Sequence, residues 1–126
     1  EWGHHIQNLR GVFRDHNTQE RGEQGAGVRS ELQADCYAGV WMHWASQTAD
    51  PNTGEPFLRV PSAEEIDGAL TTAQAIGDDR LQQRYQGSTN SESWTHGSAA
   101  QRSQWLRTGL DSGSIAACDT WSAARV

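Results

Sequence analysis

At 126 residues the chain has the length of one modest domain. Its net charge of −6 argues against a nucleic-acid partner or an anionic membrane surface, both of which call for a basic face. It holds no run of about 18 apolar residues that could span a bilayer, and six of its aromatic residues are Trp, so burial must rest on a few large side chains.

Residues 1 to about 10 read as a helix on which Trp2, Ile6 and Leu9 recur at helical spacing and are expected to face the core. His4 and Gln7 share another side. His5 is turned from His4 by about 100°, so the two cannot serve one metal from one face. Residues 11 to about 26, rich in glycine and charge, read as a loop that leaves His16 exposed. From about Val28 to Gln47 comes the longest helix, with Val28, Leu32, Cys36, Val40 and Trp44 as its buried stripe and His43 as a capping or surface histidine near its end. Asp50 to Pro56 is a turn-rich loop. Ser62-Ala63-Glu64-Glu65 forms a capping box after Pro61, and the helix it opens carries Ile66, Leu70, Ala73 and Ile76 before Gly77. Asp78 is expected to cap a short helix to about Gln86, with Leu81 and Tyr85 one turn apart on a packing stripe. Ser98 is expected to cap a helix to about Leu110 with Trp105 and Leu106 inward, and residues 115 to 121 a short helical tail holding Cys118. Helical spacing in several segments and strand alternation in none predict a mainly α domain over residues 1–126, with about five helices and little or no sheet.

Glu1 and His4 form the pattern Glu-x-x-His. A histidine directly before Glu1 would complete H-E-x-x-H, in which two histidines one turn apart bind zinc and the glutamate acts as general base. Alone, the pair reads more readily as an ordinary helix-surface pair. Glu31 and Asp35 lie at i and i+4 on the next helix, so both carboxylates face one way. Catalytic zinc takes three protein ligands and keeps an open position, and carboxylates behind the ligands fix the histidine tautomers. Glu31 fits a third ligand and Asp35 such a carboxylate, against the alternative of a solvated acidic face with Arg29 as partner. The two half-motifs in this order favour a metallopeptidase-type site. Serine hydrolysis lacks its Gly-x-Ser-x-Gly elbow, and Cys36 has no activating base nearby in sequence.

The segments Glu-Trp-Gly-His-His-Ile-Gln-Asn-Leu, Glu-Leu-Gln-Ala-Asp-Cys-Tyr-Ala-Gly-Val-Trp, Ala-Ile-Gly-Asp-Asp-Arg-Leu-Gln, Thr-His-Gly-Ser-Ala-Ala-Gln-Arg and Ala-Ala-Cys-Asp-Thr-Trp run from residue 1 to about residue 121. In their order and combination they resemble the neutral zinc metallopeptidases of bacteria. The family's zinc motif begins with a histidine that does not stand before Glu1 here, so the chain looks like the C-terminal portion of such a protein, starting inside the motif. The resemblance implies a zincin-like, gluzincin-type domain that cleaves a peptide or protein substrate. Zinc would be held by the preceding histidine, His4 and Glu31, with Glu1 as general base and Asp35 orienting a ligand histidine. It makes His96 the candidate oxyanion stabiliser, with Arg102 behind it as a substrate or carboxylate partner; Thr95, His96 and Ser98 read equally as no more than a helix start. It also implies an extracytoplasmic protein, secreted or held by an anchor outside this chain. That favours a Cys36–Cys118 disulfide over two buried thiols. The rival reading is a non-catalytic, disulfide-stabilised helical binding or scaffold domain.

Overall fold

The helix Ala26–Ala45 is the element on which the others pack. The computed structural model describes residues 1–59 and 61–126. In chain order its helices are α1 (Trp2–Leu9), α2 (Val12–Asp15), α3 (Ala26–Ala45), α4 (Ala63–Ala75), α5 (Asp78–Gln86) and α6 (Ala99–Ser112), with 3-10 turns at Ser91–Ser93 and Ile115–Cys118. Among the described residues there is no sheet, and an isolated antiparallel bridge joins Ala49 to Pro56. No described helix is long and apolar enough to cross a membrane. The mainly α expectation therefore holds. The element beyond the expected five is α2, a single turn inside the predicted loop that is too short to show an apolar period.

Local sequence explains most boundaries. Ser62 and Glu65 at the start of α4, and Ser98 and Gln101 at the start of α6, form reciprocal capping boxes. Gly113 ends α6 in the left-handed conformation. Asp78 departs from expectation. Gly77 is the cap residue of α5, and the Asp78 carboxylate instead accepts hydrogen bonds from the loop before α6.

The core lies between α3, α6 and the C-terminal tail. Val28, Leu32, Cys36, Tyr37 and Val40 of α3 pack with Trp94, Trp105 and Cys118. Burying a side chain such as Leu32 contributes about 1.5–3 kcal/mol. The expected Cys36–Cys118 disulfide is present, with the Cα atoms 5.6 Å apart. Arg29 is drawn away from the acidic face of its own helix: its guanidinium donates to the carbonyls of Thr120 and Ala123.

Several apolar expectations are overturned. Trp2 is 72% exposed and Leu9 69%, because α1 packs through Gly3 and Gln7. Trp44 is also exposed, since α3 ends beside the end of α6 and the indole N–H donates to the Gly113 carbonyl. Tyr85 is exposed on α5, which buries none of its residues; the Arg84 guanidinium lies over its ring. His16 is half-buried, stacked on Trp121 with centroids 3.7 Å apart. His43 caps a neighbouring helix and not its own, with Nδ1 at 2.7 Å from the Leu110 carbonyl oxygen in the last turn of α6.

α3 and α6 approach closely at Gly109. A Cβ added there would overlap the Cys36 carbonyl of α3. Helix propensity alone would make Gly109→Ala stabilising by about 1 kcal/mol. The overlap dominates, and the variant is expected to lose about 2 kcal/mol in urea unfolding. A variant as stable as the parent would contradict this contact.

Candidate active site

α1 lies across α3 with Gly3 against the main chain of Ala34; any side chain at position 3 would collide with it. This approach brings the two half-motifs together. His4 Nε2 stands 3.3 Å from Glu31 Oε2. The other ring nitrogen, Nδ1, is 2.8 Å from Gln7 Oε1. Gln7 is fully buried, and its amide nitrogen donates to the Ser30 carbonyl at 2.7 Å and to Gln33 Oε1 at 3.0 Å. With the amide nitrogen so committed, Oε1 can only accept. Nδ1 therefore carries the proton, and Nε2 is the nitrogen turned to Glu31. Sequence spacing had put Gln7 on the His4 side of the helix, but not as the group that fixes its tautomer.

Glu1, His4, Glu31, Asp35, His96 and Arg102 line one cleft of about 470 Å³. A second hollow of about 420 Å³ shares Glu31 and His96 with it and continues along Phe13, Thr18 and Arg21. Asp35 accepts two hydrogen bonds from Arg102, from Nε and Nη2, both 2.9 Å. Arg102 is thus a carboxylate partner, and the histidine His4 is oriented by Gln7 and not by Asp35. The exposed His96 ring has Nδ1 within 2.8 Å of Thr95 Oγ1; among the described residues its Nε2 has no hydrogen-bond partner. Ser30, buried between Gln7 and the second hollow, has a hydroxyl without a partner among the described residues.

Two ligands of a tetrahedral zinc with bonds of about 2.0–2.1 Å lie about 3.3–3.4 Å apart. The separation of His4 Nε2 and Glu31 Oε2 matches that edge. Among the described residues no cluster of three or more His, Cys, Asp or Glu side chains could hold a metal ion. The family described as "Putative neutral zinc metallopeptidase" matches residues 1–121.

The chain belongs to this zinc metallopeptidase family. It is similar to an uncharacterized protein of Mycobacterium tuberculosis, 52% identical over 124 residues, which cover 98% of this chain and 42% of the relative. It is also similar to the uncharacterized protein YpfJ of Escherichia coli, 43% identical over 126 residues, covering 96% of this chain and 40% of the relative. The chain thus spans about two fifths of the length of these relatives. No solved structure matches it.

The electrostatics of the His4–Glu31 pair favour a protonated imidazole beside an ionised carboxylate. The hydrogen bond to Glu31 raises the His4 pKa above its ordinary value, over the opposing effect of burial. Burial pushes the Glu31 carboxyl up, but the His4 hydrogen bond and the charges of His4, His96 and Arg102 hold it below the usual range. Burial raises Asp35, against the pull of Arg102. Between the lowered Glu31 and raised His4 values the two form an ion pair. Its stabilisation is complete below the ordinary histidine pKa of about 6.5 and fades as pH rises through the raised one. Metal uptake through His4 would have the opposite sign, because it would expel the His4 proton. Zinc affinity is expected to rise about tenfold per pH unit until His4 is neutral, then level off. Calorimetry in buffers of different ionisation enthalpy should detect the released proton, and a flat profile from pH 5.5 to 8 would remove His4 from the ligand set.

Proposed function

We propose that this chain forms the helical, ligand-bearing part of a zinc-dependent peptidase, in which a water molecule attacks a peptide carbonyl. The observation that carries this reading is the 3.3 Å approach of His4 Nε2 to Glu31 Oε2, with the opposite face of the imidazole fixed by the buried Gln7. His4 and Glu31 would hold the metal with a histidine placed directly before Glu1. When bound, zinc supplies Lewis acidity and lowers the pKa of water toward neutrality. Glu1, on the wall of the same cleft, takes the proton of the attacking water and passes it to the leaving amine. His96 presents its unpartnered Nε2 to the oxygen that gains charge. Asp35 and Arg102 neutralise each other on the cleft wall and join α3 to α6. The two hollows on either side of Glu31 and His96 would receive an extended peptide. The disulfide supports an extracytoplasmic setting, secreted or anchored through a segment outside this chain.

The test uses the chain extended by a histidine before Glu1, loaded with zinc and assayed on casein. Hydrolysis that a chelator abolishes is expected, as is a rate at least about 100-fold lower for Glu1→Gln at unchanged zinc content. Full activity in Glu1→Gln would reject Glu1 as the base. The second reading is a non-catalytic binding or scaffold domain, supported by the Cys36–Cys118 disulfide. It requires that the extended chain take up no stoichiometric zinc and cleave nothing.

A further inference from the structure

α5 buries none of its residues, yet its first turn is bound closely to the loop that carries His96. One oxygen of Asp78, Oδ2, accepts three backbone N–H groups in succession: Thr95 at 2.7 Å, His96 at 2.7 Å and Gly97 at 3.1 Å. The backbone N–H of Asp78 donates in return to the Gly97 carbonyl at 2.8 Å. The other oxygen, Oδ1, stands 3.7 Å from His96 Nδ1. The neighbours of Asp78 reinforce the grip. Asp79 Oδ1 accepts the N–H of Ala99 at 2.7 Å, and Gly77 lies so close to the main chain of Ala99 that a Cβ there would overlap it. The side chain of Asp78 is only 14% exposed, whereas that of the histidine it braces is 52% exposed.

We infer that Asp78 is the positioning residue for His96, with His96 taken as the oxyanion-side group proposed above. The loop Thr95–Gly97 has no helix or strand of its own to fix it. Its three successive N–H groups point at one carboxylate, an arrangement in which a negative acceptor binds more strongly than a neutral one. Asp78 so sets the backbone at His96, and through it one part of the cleft wall. A residue kept only for packing would show itself by burial of an apolar side of α5, which is absent. Asp78 touches neither substrate nor metal in this scheme, and acts only through His96.

Hydrogen exchange and histidine-ring NMR on the 126-residue chain test this without any turnover. Asp78→Ala is expected to speed exchange at Thr95, His96 and Gly97 by about 100-fold, with α3 amides unchanged and the His96 ring resonances shifted or broadened. Asp78→Asn keeps one carbonyl oxygen that can take the place of Oδ2, and should restore most of the protection at the three amides. Asp79→Asn, which touches Ala99 and not His96, should leave the His96 ring resonances in place. Equal acceleration in the loop and in α3, or none in the loop, overturns the inference. So does loss of the whole fold in both Asp78 variants, since Asp78 would then serve the fold and not the loop. The expected exchange pattern in a chain whose histidine-extended form cleaves no peptide would leave Asp78 as the residue that places His96 and remove the peptidase reading alone.

Discussion

Opening the Cys36–Cys118 disulfide is expected to lower the stability of the chain by about 4.5 kcal/mol, the loop-entropy value for a ring of this size. The two cysteines are 82 positions apart, so the bond removes a large part of the freedom of the unfolded chain. Both residues are fully buried within the α3 core, so a Cys36→Ser, Cys118→Ser pair would also leave two hydroxyls to satisfy there. The effect should reach the site. The Cys118 carbonyl accepts from Gln33, Gln33 accepts from Gln7, and Gln7 orients His4. Cys36→Ala, Cys118→Ala should therefore unfold at much lower urea concentration than the oxidised parent. A loss below about 1 kcal/mol would show that helix packing and the Arg29 contacts to the tail carry that end of the chain without the bond.

Placing one histidine directly before Glu1 should tighten zinc binding by about 100- to 1,000-fold. A structural zinc site is worth about 10–16 kcal/mol across four ligands, or roughly two to three decades of affinity for each. Removing a group behind the ligands costs only about 10–100-fold, and a ligand in direct contact should matter more. The 126-residue chain presents His4 and Glu31 at the right separation, with the tautomer of His4 already fixed, so the added imidazole would complete a prepared pair. Competition titration with a chromophoric chelator would compare the two chains, with His4→Ala in the extended chain as control. Equal affinity in all three would show that zinc binds elsewhere and that the His4–Glu31 assignment is wrong.

What the sequence disclosed was local. The capping boxes at Ser62 and Ser98 are complete within four residues, and both helices begin where those residues place them. The stripe Val28, Leu32, Cys36, Val40 runs down one helix face and is buried as its period predicts. Periodicity failed on α1 because it marks apolar residues, whereas α1 meets α3 through a glycine and a glutamine. A stripe also cannot show where its neighbour ends, which is why Trp44 is exposed beside the end of α6. In the site, shared helix faces together with the family resemblance singled out His4 and Glu31, whose side chains approach to 3.3 Å. The partners that orient them were not so visible. Gln7 joins Ser30 and Gln33 across 23 and 26 positions, and Asp78 reaches Thr95 across 17. No pattern within one helix encodes those distances.

The contact of Gly3 with Ala34 bears on how such a chain can diverge. At Gly3 the histidine-bearing and glutamate-bearing helices meet main chain on main chain, with no side chain at that point as a spacer. Core residues elsewhere can drift in size without changing the gap between His4 and Glu31. Position 3 has no such latitude, since even a methyl group would lift α1 away and part the pair. Among homologues that retain the histidine and glutamate, glycine at this position should therefore persist where larger core residues have been exchanged. A homologue that has lost it should have lost the histidine–glutamate pair as well.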